Sequence, residues 1–316
     1  MPPNKSPRRW LLLAIKILIA GLLAWFMRET IRQGLDEIRK QEITLKIGWL
    51  IFAGGLYLLG QLPSGLYWLR VLHRLGQDAR PYETLRAFYI GHLGKYVPGK
   101  ALVIVLRAGL IRSARVDTAV VVVSVFIETL TMMAVGAALA AAIIAVEFYT
   151  NVKLLAIGVG LLLVAGVPTL PPVFRKVIRV LKVARSNPHA IAQLDRLDYR
   201  TLAMGWVGIG LGWVAIGVAL WGVLRGMGME QVELWSNLPL LIAAVALAIV
   251  AGFASLIPAG AGVREFVLIA LLTQLPGVDD GHAVLSAVVL RIVTLVAELS
   301  IAGILFVVRP RQSLKE

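Results

Sequence analysis

The sequence predicts an all-α polytopic membrane protein, an inverted repeat with two broken, re-entrant helical hairpins that meet near the bilayer midplane. Three observations predict it. The chain of 316 residues is 59% hydrophobic and only 16% charged, more apolar surface than a soluble protein of this size can hide. Its long apolar runs are joined by short polar connections whose basic residues collect on one side. A net charge of +14 therefore reflects the positive-inside pattern rather than nucleic-acid binding. Finally, one apolar stretch in each half is interrupted. Phe88–Leu110 is broken by Gly94, Lys95, Pro98, Gly99 and Lys100, and Leu256–Leu271 by Pro258, Gly260 and Gly262. Proline has no N–H to donate and glycine loosens a helix. Backbone freed at membrane depth must then be buried in protein or line a wet cavity.

Taken in order, the elements form one integral membrane domain, residues 1–316. A short basic start (Lys5, Arg8, Arg9) precedes an apolar run from Trp10 to Met27, read as an uncleaved first span with its N-terminus cytoplasmic. Arg28–Lys46 places Ile31, Leu35, Ile38 and Leu45 on one face, the pattern of an amphipathic surface helix. Ile47–Leu69 is the second span, with Pro63 inside it. Arg70, Arg74, Arg80 and Arg86 precede the first hairpin and Arg107, Arg112 and Arg115 end it, so it enters and leaves on the cytoplasmic side. Thr118–Phe148 is a span with Glu128 in its interior and a small-residue face at Ala134, Ala138 and Ala142.

The second repeat, about residues 154–308, mirrors the first, about 10–148. Leu154–Leu170 runs inward. The connection at 173–200 sets Arg175, Lys176, Arg179, Lys182 and Arg185 around an apolar stripe, as in a cytoplasmic helix lying on anionic lipid. Thr201–Leu224 spans outward, with Gly208 and Gly212 at close-packing spacing. Leu238–Ile257, the Pro258–Gly262 break and Val263–Leu275 form the second hairpin. Ala283–Val308 is the last span, and Arg309, Arg311 and Lys315 leave the C-terminus cytoplasmic.

Gly94–Lys100 matches the first seven positions of a phosphate-cradling GxxxxGK loop, but Ala101 stands where the magnesium-binding hydroxyl belongs and no strand precedes it. An ATPase is excluded; a phosphate held on helix-start N–H groups and lysines is not. Charges inside spans are costly, so Lys95, Lys100, Arg107, Glu128, Arg264, Glu265, Arg291 and Glu298 all need partners. Singly, each is equally well read as an ion pair that fixes helix register. As a set on two broken elements and the spans after them, joined by Tyr96, they read as a substrate pathway. Equal depth in equivalent spans predicts a Glu128–Arg291 pair across the repeats, with Glu298 on the same face as Arg291. With no cysteine, no ligand-like histidine spacing and no nucleophile–base pair, neither a metal site, a catalytic residue nor a cofactor is expected.

GHLGKYVPGK followed by Arg107, and IPAGAGVRE, resemble the two signatures of the lysylphosphatidylglycerol synthase transmembrane-region family, and the resemblance covers nearly the whole chain. It implies a multi-pass protein of the bacterial inner membrane with paired re-entrant helices, a flippase-like domain moving a lipid or lipid-linked headgroup between leaflets. Lys95, Pro98, Gly99, Lys100, Arg107, Pro258, Gly260, Gly262 and Glu265 fall on the motif positions, and the Glu128 and Arg291 spans look like the family's charged spans. The chain departs from fused members in carrying no soluble aminoacyl-transfer domain, so lysine transfer is not carried over. The expected function is translocation, without ATP, of a lipid with an anionic phosphate headgroup, either a phospholipid or a polyprenyl-phosphate lipid. Movement is equilibrating or ion-driven, with Glu128, Glu265 or Glu298 as proton carrier. An ion-coupled transporter of a small anionic solute, or an accessory or enzyme subunit acting on polyprenyl-linked sugars, are the alternatives. Homo-oligomerisation is left open.

Overall fold

The computed structural model describes residues 45–96, 101–111, 116–147, 198–255 and 257–308, with Arg32 and scattered positions between 152 and 176. The expected first span, the amphipathic helix at 28–46, the inward run at 154–170, the basic connection at 173–200 and the C-terminal basic residues lie wholly or mainly outside these. So do Pro98, Gly99 and Lys100. The described residues are helical: α1 (Ile47–Arg74), α2 (Pro81–His92), α3 (Ala101–Ile111), α4 (Thr118–Glu147), α5 (Tyr199–Gly226), α6 (Leu234–Ala254), α7 (Val263–Leu272) and α8 (Asp280–Val307). Among them α1, α4, α5, α6 and α8 are long and apolar enough to cross a membrane.

Their ends follow local chemistry. Asp198 caps α5 by accepting the Thr201 N–H at 2.9 Å, and Asp279 caps α8 through His282 N–H at 2.8 Å, satisfying donors a helix start leaves open. Both carboxyls lie below their ordinary pKa, Asp198 through the Thr201 side chain and N–H, Asp279 through the His282 N–H and ring. Pro81 occupies the first turn of α2, where its missing N–H costs nothing. The first hairpin leg therefore begins well before Phe88, and Arg70 and Arg74 belong to α1 rather than to a loop. At the far end of α8, Tyr82 and Arg86 of α2 donate to the carbonyls of Val308 (2.6 Å) and Leu305 (2.8 Å), the place where a cation offsets the helix dipole.

The packing is two-fold. α1–α4 and α5–α8 are successive sets, and each contact in one has a counterpart in the other. α1 packs on α2 as α5 on α6, α2 on α3 as α6 on α7, and α3 on α4 as α7 on α8. Between the sets, α2 packs on α8 as α6 on α4, and α1 on α8 as α5 on α4. The described helices thus pack as a repeat, α1–α4 matching α5–α8, while the first span of each expected half lies outside them. The hairpins are not identical: the first leg is 12 residues in one and 21 in the other.

The most extensive contact is the antiparallel seam between α1 and α5. It runs from Lys46, whose N–H donates to the Gly226 carbonyl at 2.7 Å, to Arg74 beside Asp198. Gly60 and Gly212 meet in the middle, each at the fourteenth position of a 28-residue helix. A Cβ on Gly60 would stand 2.8 Å from the Gly212 carbonyl oxygen, so the backbones touch where the pseudo-two-fold axis passes. The small face of α4 also differs from its expected register. Ala134, Ala137, Ala140 and Ala141 are buried, whereas Ala138 is half-buried and Ala142 exposed, because α5 and α6 pack against the former side.

At the centre the two breaks touch. The turn Leu93–Tyr96 ends α2 and the turn Pro258–Gly260 follows α6; they meet through Leu93, Tyr96 and Ala259, with Leu295 of α8 beneath. Ala259 takes the left-handed conformation (φ 51°), a strain on the order of 1 kcal/mol for a residue with a Cβ.

Candidate functional site

Glycines set how each hairpin carries its arginine. A Cβ on Gly91 of α2 would come within 2.5 Å of the Arg107 Cγ on α3, and one on Gly252 of α6 within 2.5 Å of the Arg264 Cγ on α7. In both hairpins the arginine stem of the second leg lies over a bare backbone in the first. The two guanidinium groups then meet different surroundings.

Arg107 is locked. Its Nη1 donates to Glu128 Oε2 at 2.6 Å with both side chains almost wholly buried. Its guanidinium lies 4.4 Å from the Phe88 ring centre and 5.1 Å from that of Trp68, positions where aromatic faces attract a cation. Trp68 is held by Ser124 at 2.8 Å, and Thr129 donates to the same carboxylate at 3.2 Å. Apolar side chains of Ile111, Val121 and Val125 close the cluster. This is a dry pair joining hairpin to span.

The second hairpin makes the corresponding link with charges exchanged. Glu265 of α7 accepts from Arg291 of α8 through one oxygen and from the Gly262 N–H at 2.7 Å through the other. One carboxylate thus caps α7 and anchors α8, and Gly262 (φ 81°) supplies the backbone turn that starts the helix. The expected Glu128–Arg291 pair does not form. Each charge is taken by the hairpin leg packed against its own helix, and Arg291 does not use Glu298.

Glu298, buried on α8, is the acceptor of another group. Lys95 reaches it at 2.5 Å, the Tyr96 hydroxyl at 2.9 Å, and the Tyr57 hydroxyl also donates to it. His92 Nε2 stands 3.7 Å away, with its ring stacked on Phe88. The first hairpin tip is thereby tied to the last helix. Tyr57 also lines a narrow cavity with Arg264, Glu265, Leu268, Arg291 and Thr294, with room for about one water. Arg264 has no hydrogen-bond or ion-pair partner among the described residues. Among the described residues around Tyr57, then, three cations (Lys95, Arg264, Arg291) meet two carboxylates (Glu265, Glu298), one positive charge more than negative. α7 is a thin wall on this side: Leu268 is buried while Phe266 is 74% exposed.

Of the residues singled out in the sequence, Lys95, Tyr96, Arg264, Glu265, Arg291 and Glu298 therefore converge, while Arg107 and Glu128 form a separate lock. Gly94 holds the first hairpin closed, a Cβ there meeting the Val103 backbone N at 2.5 Å. Tyr57 and His92 join the junction without having been anticipated. A tyrosine and a histidine carry no fixed charge that would mark them in a sequence; the one hint is that Tyr57 interrupts an apolar run and His92 adjoins the Gly94 break. Among the described residues no three His, Asp or Glu side chains gather as metal ligands.

A family model described as the lysylphosphatidylglycerol synthase TM region matches residues 13–302. The chain belongs to that family. It is a multi-pass membrane protein, and the match spans the seam, both hairpins and α8 through Glu298, so the Tyr57 junction is part of the family's membrane region. No curated protein matches the chain.

Proposed function

We propose that this protein is a translocator of a lipid, or lipid-linked molecule, with an anionic phosphate headgroup, and that it carries out no covalent chemistry. The observation that carries the reading is Arg264: a guanidinium without an acidic partner, in a cavity already lined by Arg291 and joined through Tyr57 to Lys95. A cation held without a counter-charge in a low-dielectric interior is expensive, and a phosphate oxygen is the acceptor that relieves it. The thin wall at α7 supports lateral entry from the bilayer, with acyl or prenyl chains remaining in lipid. Family membership supports a lipid-related role. On this reading the protein sits in the bacterial inner membrane with its basic connections cytoplasmic. Movement is equilibrating or ion-driven, Glu298 being the carboxylate that meets both the hairpin tip and Tyr57.

Reconstitution in vesicles holding fluorescent phosphatidylglycerol or phosphatidylcholine tests this. The wild type should move the anionic lipid in preference. Arg264→Gln removes a charge-assisted hydrogen bond, so its rate should fall roughly 10–100-fold with no loss of fold. Equal rates for the two lipids, or an unaffected variant, would overturn the reading.

A further inference from the structure

The α1–α5 seam opens on its outer side, toward the basic end of α1, into a cleft of about 700 Å³. Its walls are apolar: Pro63 and Leu66 on α1, Gly208 and Leu211 on α5, with Leu66 and Leu211 46% and 66% exposed. At one end the lining changes to Arg70 and Arg74. Arg74 reaches Asp198 only at 3.8 Å, with both side chains more than a third exposed. Arg70 makes no hydrogen bond or ion pair among the described residues, and its Nε is buried without a partner. A guanidinium half sunk in an apolar groove and left unsatisfied is costly.

The dimensions are those of one leaflet. Pro63 to Arg74 is eleven helical steps, roughly 16 Å at 1.5 Å each. Half of a hydrocarbon core of about 30 Å is about 15 Å. A cation thus stands at headgroup level and an apolar trough runs from it to the midplane.

We propose that this cleft is a binding site for one anionic phospholipid, its phosphate on Arg70 and Arg74 and an acyl chain along Leu66, Gly208 and Leu211. The site is separate from the Tyr57 junction, with which it shares no residue. Charge argues against the other occupants. The N-terminal segment and the 173–200 connection are themselves basic (Lys5, Arg8, Arg9; Arg175, Lys176, Arg179). A second copy related by a two-fold axis would bring the same arginines together.

The test uses the full chain, purified and re-lipidated with dioleoylphosphatidylglycerol or dioleoylphosphatidylcholine, with retained lipids counted by native mass spectrometry. The phosphatidylglycerol should be retained in preference. Arg70→Gln should weaken that retention roughly fivefold, the effect of one interfacial cation, and should do so by the same factor in an Arg264→Gln background, where the Tyr57 junction is already weakened. Gly208→Leu should also expel the lipid. A Cβ there meets only Pro63, at 3.8 Å, so the added bulk enters the cleft rather than the packed seam. Equal retention of the two lipids, a loss on Arg70→Gln that disappears in the Arg264→Gln background, or no effect of either cleft variant would overturn the proposal. Because the chain has no cysteine, Leu211→Cys supplies a single reporter thiol. Disulfide-linked dimers on mild oxidation would place a second copy in the cleft and refute the lipid.

Discussion

Removing the charge of Glu128 separates a structural from a functional reading of the intramembrane charges. Glu128→Gln keeps the side chain's shape and one acceptor but leaves Arg107 as an unpaired guanidinium in a dry pocket. Breaking one partner of a buried ion pair costs about 3–5 kcal/mol. The remaining neutral hydrogen bond returns about 1 kcal/mol, so roughly 2–4 kcal/mol is the expected loss. The aromatic faces of Phe88 and Trp68 are present in both proteins, and they place the loss toward the lower end of that range. For a chain of this size that corresponds to a melting temperature lower by on the order of 3–6 °C. Thermal loss of the monodisperse peak in size-exclusion chromatography measures it. The double variant Arg107→Met, Glu128→Leu should recover most of the stability, because replacing both partners by apolar groups avoids the unpaired charge. Arg264→Gln, which leaves nothing unpaired, should not lower the midpoint at all. If Glu128→Gln melts like the wild type but transports nothing, the lock is part of the pathway and the reasoning fails.

Two further expectations concern other parts of the molecule. Glu298→Gln frees Lys95 beside Arg264, so retention of phosphatidylglycerol by the Arg70→Gln protein, whose cleft is weakened, should rise. A fall would show that Glu298 organises the junction rather than competing within it. The Asp198 and Asp279 caps have folded-state pKa values below the ordinary carboxylate range. Their contribution is therefore complete above about pH 4 and lost as pH falls through the folded values. The melting midpoint should drop on acidification in the wild type and less in Asp198→Asn, Asp279→Asn, whose amides cap without titrating. Identical pH profiles would exclude the caps as the cause.

The positions of the breaks were legible because glycine and proline act locally: Gly94, Gly260 and Gly262 mark turns whatever surrounds them. Counting residues along a span gives depth alone, and depth alone suggested the Glu128–Arg291 pair that does not form; it was the azimuth that decided. Azimuth was not legible. Which way a charged residue points around its helix depends on the neighbours packed around it, and the side chains of Glu128 on α4 and Arg291 on α8 face the hairpin leg that precedes each. Hence Glu128 meets Arg107 and Arg291 meets Glu265, within a repeat rather than across. The same limit explains Ala138 and Ala142, spaced for close packing but turned away from it. Pro81 extended the first leg upstream because a helix start depends on capping geometry, which hydropathy does not register.

The Gly60–Gly212 contact fixes how this molecule can move. Equivalent residues that touch on a pseudo-two-fold axis stay in contact under any motion that exchanges the shapes of the two halves. The crossing is therefore a fulcrum, with α1 and α5 as levers of equal arm, about 21 Å on each side. A rocking of about 10° around it would carry the helix ends roughly 4 Å in opposite directions while scarcely disturbing the centre. The Arg107–Glu128 and Glu265–Arg291 links would travel with their own repeats, since each joins elements on one side of the fulcrum. The bonds of Lys95, Tyr96 and Tyr57 to Glu298 join elements from opposite sides, as do those of Tyr82 and Arg86 to the end of α8 and of Lys46 to Gly226, and these are the polar contacts such a motion has to strain.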